Sequence, residues 1–112
     1  MRVTIYHNPK CGNSRDVLRI LREVGIEPEV VEYLKTPLSR AQLATLAKKL
    51  GAAASLVRTK EPLAVELDLQ NADESVILDA LAAHPVLLNR PVVVTDKAAK
   101  ICRPAELVRT ML

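Results

Sequence analysis

Residues 2–15 read RVTIYHNPKCGNSR, and this stretch decides the fold. Residues 2–6 are rich in Val, Thr, Ile and Tyr and are typical of a β-strand. The segment 7–13 that follows contains Asn, Pro and Gly and predicts a turn. From Ser14 to a stop at Gly25 the apolar residues recur with helical spacing, which predicts an amphipathic helix. The stretch therefore predicts a strand, a loop and a helix in succession.

A second strand is predicted at residues 29–34, which alternate in polarity and contain β-branched residues. Because a helix joins it to the first strand, the two strands should lie parallel in a right-handed βαβ unit. Helical segments then fill the middle of the chain, and the first of them has a capping-box start at Ser39 and Gln42. These segments lie at residues 39–50, 52–57, 62–67 and 73–84.

In the last third of the chain the spacing of apolar residues changes from that of helices to that of strands. Residues 91–95 predict a short buried strand, residues 99–102 predict another, and Pro104 begins a terminal helix. This order predicts an α/β fold with a thioredoxin-like mixed sheet and a helical insertion between the second and third strands. A chain of 112 residues has the usual size of one compact domain, so we expect residues 1–112 to form a single domain.

Composition and charge narrow the classes of function. Lys and Arg number 16 against 13 Asp and Glu, the net charge of +3 is spread along the chain, and only 2% of residues are aromatic. This pattern does not indicate a nucleic-acid surface, whereas a small anionic ligand suits the charge. No stretch approaches the roughly 20 apolar residues of a membrane span, and the amino-terminal residues lack a signal-peptide core. We expect a cytoplasmic monomer that contacts neither nucleic acid nor membrane.

Cys11 is the candidate nucleophile. It lies just before the predicted first helix, where backbone N–H groups and the helix dipole stabilise negative charge and lower a thiol pKa. The same N–H groups can hold an oxyanion, and His7, Lys10 and Arg15 add positive charge nearby. A buried, inert cysteine is the alternative that position alone leaves open.

The segment from Cys11 to Ser14 has the form Cys-x-x-Ser, so a hydroxyl stands where a redox pair would have its second thiol. No local disulfide can form, and the thiol that resolves Cys11 is either Cys102 or an external thiol such as glutathione. We expect both cysteines to remain thiols in a reducing compartment. Since Cys102 falls within a predicted strand, we interpret it as a core residue.

A metal site is not expected. The two histidines and the two cysteines are well separated, and no carboxylates cluster at ligand spacing. His84 precedes a proline at a predicted helix end, and we interpret it as a structural cap rather than a ligand.

Three segments of the chain resemble the signatures of one enzyme family. Residues 5–15, 84–95 and 101–106 read IYHNPKCGNSR, HPVLLNRPVVVT and ICRPAE. In order and separation they are similar to the signatures of the glutathione/glutaredoxin-coupled arsenate reductases, and the resemblance covers nearly the whole chain. It implies an oxidoreductase of thioredoxin-like fold that reduces arsenate to arsenite in arsenical resistance.

The resemblance also implies the site residues. Cys11 matches the cysteine that forms a covalent thiol–arsenate adduct, and His7 lies beside it as a further catalytic residue. The oxyanion-binding arginines that match are Arg58, Arg90 and Arg103, and the loop-supporting residues are Asn8, Gly12 and Ser14. Guanidinium groups suit this role because they make forked hydrogen bonds to oxyanions. The match of Arg58 requires a small gap.

Pro91 adds an independent reason to expect two of the arginines near the cysteine. In a thioredoxin-like fold the segment before the third strand carries a proline that is usually cis and packs beside the cysteine loop. Arg90 precedes this proline, and Arg103 follows the next strand. We therefore expect both side chains near Cys11.

The resemblance implies no bound cofactor. Arsenate is the implied substrate, glutathione is a cosubstrate, and glutaredoxin is a protein partner. For His7 two roles remain open: a partly charged imidazole near Cys11, or a hydrogen bond that supports the loop.

Two alternative functions also remain open. A related thiol reductase would use the same residues on another substrate. A regulator resembling Spx shares the fold but senses redox state and binds RNA polymerase, and such proteins usually carry Cys-x-x-Cys. Ser14, together with Arg90 and Arg103, favours the enzyme.

Overall fold

The computed structural model describes residues 1–112 and contains four β-strands and four α-helices. The strands are β1 (Thr4–His7), β2 (Glu29–Glu32), β3 (Val92–Val94) and β4 (Ala99–Ile101). The α-helices are α1 (Gly12–Glu23), α2 (Arg40–Leu50), α3 (Pro62–Glu66) and α4 (Glu74–Ala83). Short 3-10 helices lie at Ala53–Leu56, Leu69–Asn71, Pro85–Leu87 and Ala105–Met111. The chain divides into two compact units, a sheet unit of Met1–Thr36 with Arg90–Leu112 and a helical unit of Pro37–Asn89.

The sheet unit contains all four strands, in the order β2-β1-β3-β4. β1 runs parallel to β2, with His7 opposite Glu32, whereas β3 is antiparallel to β1 and β4 is antiparallel to β3. The predicted mixed sheet is therefore confirmed, and the helical unit lies between β2 and β3 in the chain, where the insertion was expected.

The apolar face of α1 forms much of the core of the sheet unit. Val17, Ile20 and Leu21 are at most 1% exposed, and they cluster with Ile5 of β1 and Val93 of β3. Burying one such side chain contributes about 1.5–3 kcal/mol. This cluster holds α1 against the sheet and so fixes both ends of the loop that carries Cys11.

The helical unit begins with the predicted capping box. Ser39 Oγ accepts a hydrogen bond from the Gln42 N–H at 3.1 Å, and Gln42 Oε1 accepts one from the Ser39 N–H at 2.8 Å. Gly51 caps the carboxyl end of α2, and its φ of 101° lies in the left-handed region that favours glycine. The capping box and the glycine, which are the sequence signals for the two ends of this helix, are both confirmed.

Some predicted boundaries differ from those observed. The second strand ends at Glu32, because the N–H groups of Lys35 and Thr36 turn back to its carbonyl oxygen at 3.0 and 2.9 Å. The terminal helix is a 3-10 helix, and Pro104 precedes it rather than beginning it. The predicted helix at 52–57 is likewise a short 3-10 helix, Ala53–Leu56.

Two peptide bonds that precede proline are cis. The Arg90–Pro91 bond has the geometry expected from the fold, and Pro91 is fully buried. The Arg103–Pro104 bond is also cis, which the sequence did not indicate. Each bond follows an arginine of the candidate site.

No helix combines the length and the apolar composition that a membrane span requires. The expectation of a single domain over residues 1–112 stays a prediction.

Candidate active site

The loop between β1 and α1 places Cys11 at the amino end of the helix. Cys11 is the N-cap residue, with φ −90° and ψ 119°. Its N–H donates to the carbonyl oxygen of Asn8 at 3.0 Å, and its own carbonyl oxygen accepts from the Arg15 N–H at 3.0 Å. The half-buried thiol therefore leaves the chain beside the N–H groups of the first helical turn, which have no partner within the helix.

These surroundings lower the pKa of the Cys11 thiol. Burial by itself raises the pKa, but several contacts to the thiolate outweigh it. They are the backbone N–H groups of Ser14 and Asn13 and the side chain of Arg90, which donates a hydrogen bond and contributes its charge. The thiolate is the nucleophilic form of cysteine. These contacts therefore favour Cys11 as an activated nucleophile over Cys11 as an inert, buried cysteine.

Two of the three expected arginines lie at the thiol. Arg103 Nη1 is 3.9 Å from Cys11 Sγ and donates to the carbonyl oxygen of Arg90 at 3.0 Å. The Arg90 side chain is in hydrogen-bonding contact with the thiolate. Arg90 is half-buried and Arg103 is exposed. Cys11, Arg90 and Arg103 thus form one cluster in the sheet unit.

Arg58 belongs to the helical unit. Its N–H donates to the carbonyl oxygen of Leu87 at 2.8 Å, and the adjacent pair Val57 and Leu88 form an antiparallel bridge. The side chain is half-buried. Its role in oxyanion binding stays a prediction.

His7, Asn8 and Ser14 form a buried polar cluster beneath the Cys11 loop. Ser14 Oγ lies 2.6 Å from His7 Nδ1 and accepts from the Asn8 N–H at 3.1 Å. The three residues are 6%, 8% and 0% exposed, respectively. Ser14 therefore ties the end of β1 to the start of α1, a contact that fits the loop-supporting role expected of Asn8 and Ser14.

The pKa of His7 is lowered. Burial is the main cause, and the charges of Arg22 and Arg15 act in the same direction, while Glu32 acts against them. A lowered pKa favours the neutral imidazole at neutral pH. Of the two roles left open for His7, the hydrogen bond that supports the loop fits this geometry better than the charged imidazole.

A pH-dependent stability is expected from His7. Below its ordinary pKa of about 6.5 the unfolded chain takes up a proton that the folded protein resists, so the unfolding free energy should fall as the pH decreases. Denaturant unfolding at about pH 7.5 and about pH 5.5 measures this loss, which His7→Asn should reduce. His84→Asn is the matched control. Equal losses in the wild type and in His7→Asn would contradict the assignment.

Gly12 and Arg15 lie at the start of α1 and are exposed. A side chain at Gly12 would meet only Arg15 Nη2 at 3.6 Å, an ordinary van der Waals distance, so the available space does not require glycine there. Arg15 Nη1 donates to the carbonyl oxygen of Pro9 at 2.9 Å. Lys10 is exposed, and its N–H donates to Asn8 Oδ1 at 3.0 Å.

The structure adds two residues that sequence reasoning missed. Asn13 Nδ2 donates to the carbonyl oxygen of Cys102 at 2.6 Å, which joins the start of α1 to the segment carrying Arg103. Tyr33 follows β2 and is 1% exposed; burial raises the pKa of its phenol, and the charge of Arg90 is the largest effect that opposes this rise. Neither residue gave a usable signal in the sequence. The predicted second strand, residues 29–34, contained Tyr33, and only the observed end of β2 at Glu32 places it at the edge where the two parallel strands end.

Cys102 has the environment expected of a core residue. It is 0% exposed, and its Sγ lies 3.8 Å from the Lys100 carbonyl oxygen and 3.9 Å from Met111 Sδ. Burial raises the pKa of Cys102 to about 11, although the charge of Lys100 opposes it. Both cysteines are free thiols. This environment does not favour Cys102 as the resolving thiol.

His84 ends α4, where its backbone N–H donates to the carbonyl oxygen of Ala80 at 2.9 Å, so it lies at a helix end as expected of a cap. No group of three or more His, Cys, Asp or Glu side chains is placed to hold a metal ion.

Comparison with known proteins identifies the family. Residues 6–111 match the ArsC family. An arsenate reductase of Rhizobium meliloti is 47% identical over 116 residues, an alignment that covers 100% of this chain and 82% of the relative. The uncharacterized protein YfgD of Escherichia coli strain K12 is 46% identical over 111 residues, covering 96% of this chain and 93% of the relative.

A solved structure, an arsenate reductase from Vibrio cholerae, superposes with a TM-score of 0.94 at 40% identity and covers 100% of this chain and 98% of that one. The three signature segments, the Cys11 cluster and these full-length matches agree, so this chain belongs to the ArsC family.

Proposed function

We propose that this protein is an arsenate reductase that uses Cys11 as its nucleophile and depends on glutathione and glutaredoxin. The observation that carries the proposal is the cluster of an activated thiol with two arginines, in which Arg103 Nη1 lies 3.9 Å from Cys11 Sγ. Membership of the ArsC family supports it, as do full-length relatives that are named arsenate reductases.

In the first step arsenate binds between the guanidinium groups and the helix start. Arg90 and Arg103 balance the negative charge of the oxyanion, and the N–H groups of the first turn of α1 donate hydrogen bonds to its other oxygens. The Cys11 thiolate then attacks arsenic: an S–As bond forms, an As–O bond breaks, and the oxygen leaves as hydroxide or water. The donors around the site stabilise the charge that develops.

Two external thiols complete the reduction. Glutathione adds to the Cys11-bound arsenic and displaces a second hydroxide or water. Glutaredoxin then attacks the glutathione sulfur, which leaves as a mixed disulfide, and the electron pair of the broken S–As bond remains on arsenic. Hydrolysis releases arsenite and restores the Cys11 thiol. The environment of Cys102 suits an external resolving thiol better than an internal one.

This mechanism agrees with three further parts of the proposal. The protein binds no cofactor, because the chemistry requires none. It is cytoplasmic, where glutathione is available, and it acts as a monomer, because one copy of the chain carries the Cys11 cluster. The regulator resembling Spx is not supported, because Ser14 replaces the second redox cysteine and two of the relatives are named arsenate reductases. A thiol reductase with another substrate is the alternative that the assay below separates.

An NADPH-coupled assay tests the function. Arsenate, glutathione, glutaredoxin and glutathione reductase are combined with the protein, and NADPH oxidation is followed together with arsenite release. We expect turnover that requires arsenate, glutathione and glutaredoxin. A folded protein with an activated Cys11 but no arsenate turnover would favour the other-substrate alternative.

Early titration of Cys11 is a separate prediction. Because its contacts favour the thiolate, its alkylation by iodoacetamide should reach half-maximal rate at a pH below the free-thiol value of about 8.5. The rate is measured against pH by mass spectrometry of the modified peptide, and Cys102 serves as the internal reference that reacts slowly in the folded state. Alkylation of Cys11 that titrates like a free thiol would exclude an activated nucleophile.

A further inference from the structure

The side chain of Asn13 joins the start of α1 to the segment that follows β4. Asn13 is the second residue of α1 and is half-buried, and its Nδ2 donates to the carbonyl oxygen of Cys102 at 2.6 Å. The two residues are 89 positions apart in the chain, and both belong to the sheet unit. The bond therefore connects the segment that carries Cys11 with the segment that carries Arg103.

The backbone of Cys102 is held from two sides. Its N–H donates to the carbonyl oxygen of Pro91 at 3.1 Å, and its carbonyl oxygen accepts from Asn13. Cys102 is 0% exposed, so water cannot replace either partner. A buried carbonyl oxygen requires a donor. The Asn13 amide therefore fixes the orientation of the peptide that links Cys102 to Arg103.

That peptide determines where the Arg103 side chain begins. The Cys102 carbonyl and the Arg103 N–H form one planar unit, and the N–H donates to the carbonyl oxygen of Ile101 at 3.1 Å. At the other end of the side chain, Nη1 donates to the carbonyl oxygen of Arg90 at 3.0 Å and lies 3.9 Å from Cys11 Sγ. Arg103 is exposed, so its position depends on these contacts rather than on close packing.

We propose that Asn13 is a positioning residue, whose side-chain amide holds the Cys102–Arg103 peptide and thereby keeps the Arg103 guanidinium beside Cys11, where it receives the anionic substrate. A long side chain that is already held in place loses less entropy when the anion binds. The identity of that anion as arsenate rests on the proposed function. The placement of Arg103 beside the thiol does not, so another anion can test it.

The first test is Asn13→Ala, which removes the side-chain donor and keeps the backbone N–H that favours the thiolate. Alanine is a better helix former than asparagine, so the change does not weaken α1. Because Arg103 binds the oxyanion, we expect KM for arsenate to rise about three- to tenfold while kcat changes by less than about twofold. Asn13→Leu has nearly the shape of asparagine without its donor and should give the same result.

Asn71→Ala is the matched control. Asn71 Nδ2 also donates one side-chain hydrogen bond, to Asp68 Oδ1 at 2.8 Å, but it lies in the helical unit. This variant should leave both KM and kcat unchanged. Circular dichroism and the melting temperature establish that each variant is folded.

Two alkylating reagents test the placement of Arg103 without arsenate. Iodoacetate is an anion and iodoacetamide is neutral, so the ratio of their rates at Cys11 reports the positive charge beside the thiol. Asn13→Ala should lower this ratio at least about twofold, because the Arg103 charge is held there for less of the time. The iodoacetamide rate should stay the same, because the thiolate keeps its backbone donors. Equal losses in both rates would indicate a damaged cysteine loop and would overturn the inference.

A double-mutant cycle asks whether Asn13 acts through Arg103. In the Arg103→Gln background the ratio should already be low, and Asn13→Ala should not lower it further. A full additional loss would overturn the inference, and so would a wild-type ratio or a wild-type KM for arsenate in both Asn13→Ala and Asn13→Leu. If the protein does not reduce arsenate but Asn13→Ala still lowers the ratio, the positioning role stands and the proposed function fails.

Discussion

Replacing Cys11 with serine is expected to abolish arsenate reduction, with a fall in kcat/KM of at least about a thousandfold. A serine hydroxyl is not ionised at neutral pH, and without sulfur the S–As bond that accepts glutathione cannot form. The N–H groups of the first turn of α1 and the Arg90 side chain would still be present, but they would have no thiolate to stabilise. The coupled assay with arsenate, glutathione and glutaredoxin measures the loss.

Cys102→Ser is the matched control for this prediction. Cys102 is 0% exposed and its pKa is raised by burial to about 11, so it should contribute packing rather than chemistry. We expect most of the activity to remain, with a loss in unfolding free energy of about 1–2 kcal/mol for placing a hydroxyl in the core. If Cys102→Ser were folded but inactive, Cys102 would be the resolving thiol and the external-thiol mechanism would be wrong.

Most of the fold was predictable because the deciding signals are local. The strand, loop and helix of residues 2–25 follow from the residue types and from the spacing of the apolar side chains. Ser39 and Gln42 indicated the start of α2. Element ends were less predictable, because they depend on single hydrogen bonds. Glu32 ends β2 only because its carbonyl oxygen accepts from the turn that follows, and a 3-10 helix differs from an α-helix by one residue in each hydrogen bond.

The candidate site was predictable where it lies in the signature segments and not where it depends on long-range contacts. The sequence predicted the cluster of Cys11, Arg90 and Arg103, which the structure brings together. It gave no sign that Asn13 would bond the Cys102 carbonyl, because the two residues are 89 positions apart. The lowered pKa of His7 could not be foreseen either, since burial is its main cause and burial is a property of the folded chain.

Lysine at Arg90 or Arg103 should impair arsenate reduction even though the net charge is kept. A guanidinium offers two parallel N–H donors to adjacent oxyanion oxygens, whereas an ammonium acts as a point charge. Losing one charge-assisted hydrogen bond costs about 1.5–3 kcal/mol, or roughly ten- to a hundredfold in kcat/KM. The half-buried Arg90 should show the upper part of this range and the exposed Arg103 the lower part, because solvent screens an exposed charge.

Arg109→Lys is the matched control for these two variants. Arg109 lies in the terminal 3-10 helix of the same unit, is exposed, and pairs with Glu106 at 2.7 Å. Its kcat/KM should match the wild type. Arg103→Lys also loses the donor to the Arg90 carbonyl oxygen at 3.0 Å, so a part of its effect should appear as a changed orientation of Arg90.

Arg58→Lys completes the ranking of the three arginines. If the gapped match is right, this variant should lose kcat/KM by a factor similar to that of Arg103→Lys, because it too would remove a forked contact to the oxyanion. Steady-state kinetics on the lysine variants, each checked for folding by circular dichroism, gives the order. Wild-type kcat/KM in Arg58→Lys alone would leave a site with two arginines. Wild-type kcat/KM in both Arg90→Lys and Arg103→Lys would refute the oxyanion site, because these two arginines are the cations that act on the Cys11 thiol.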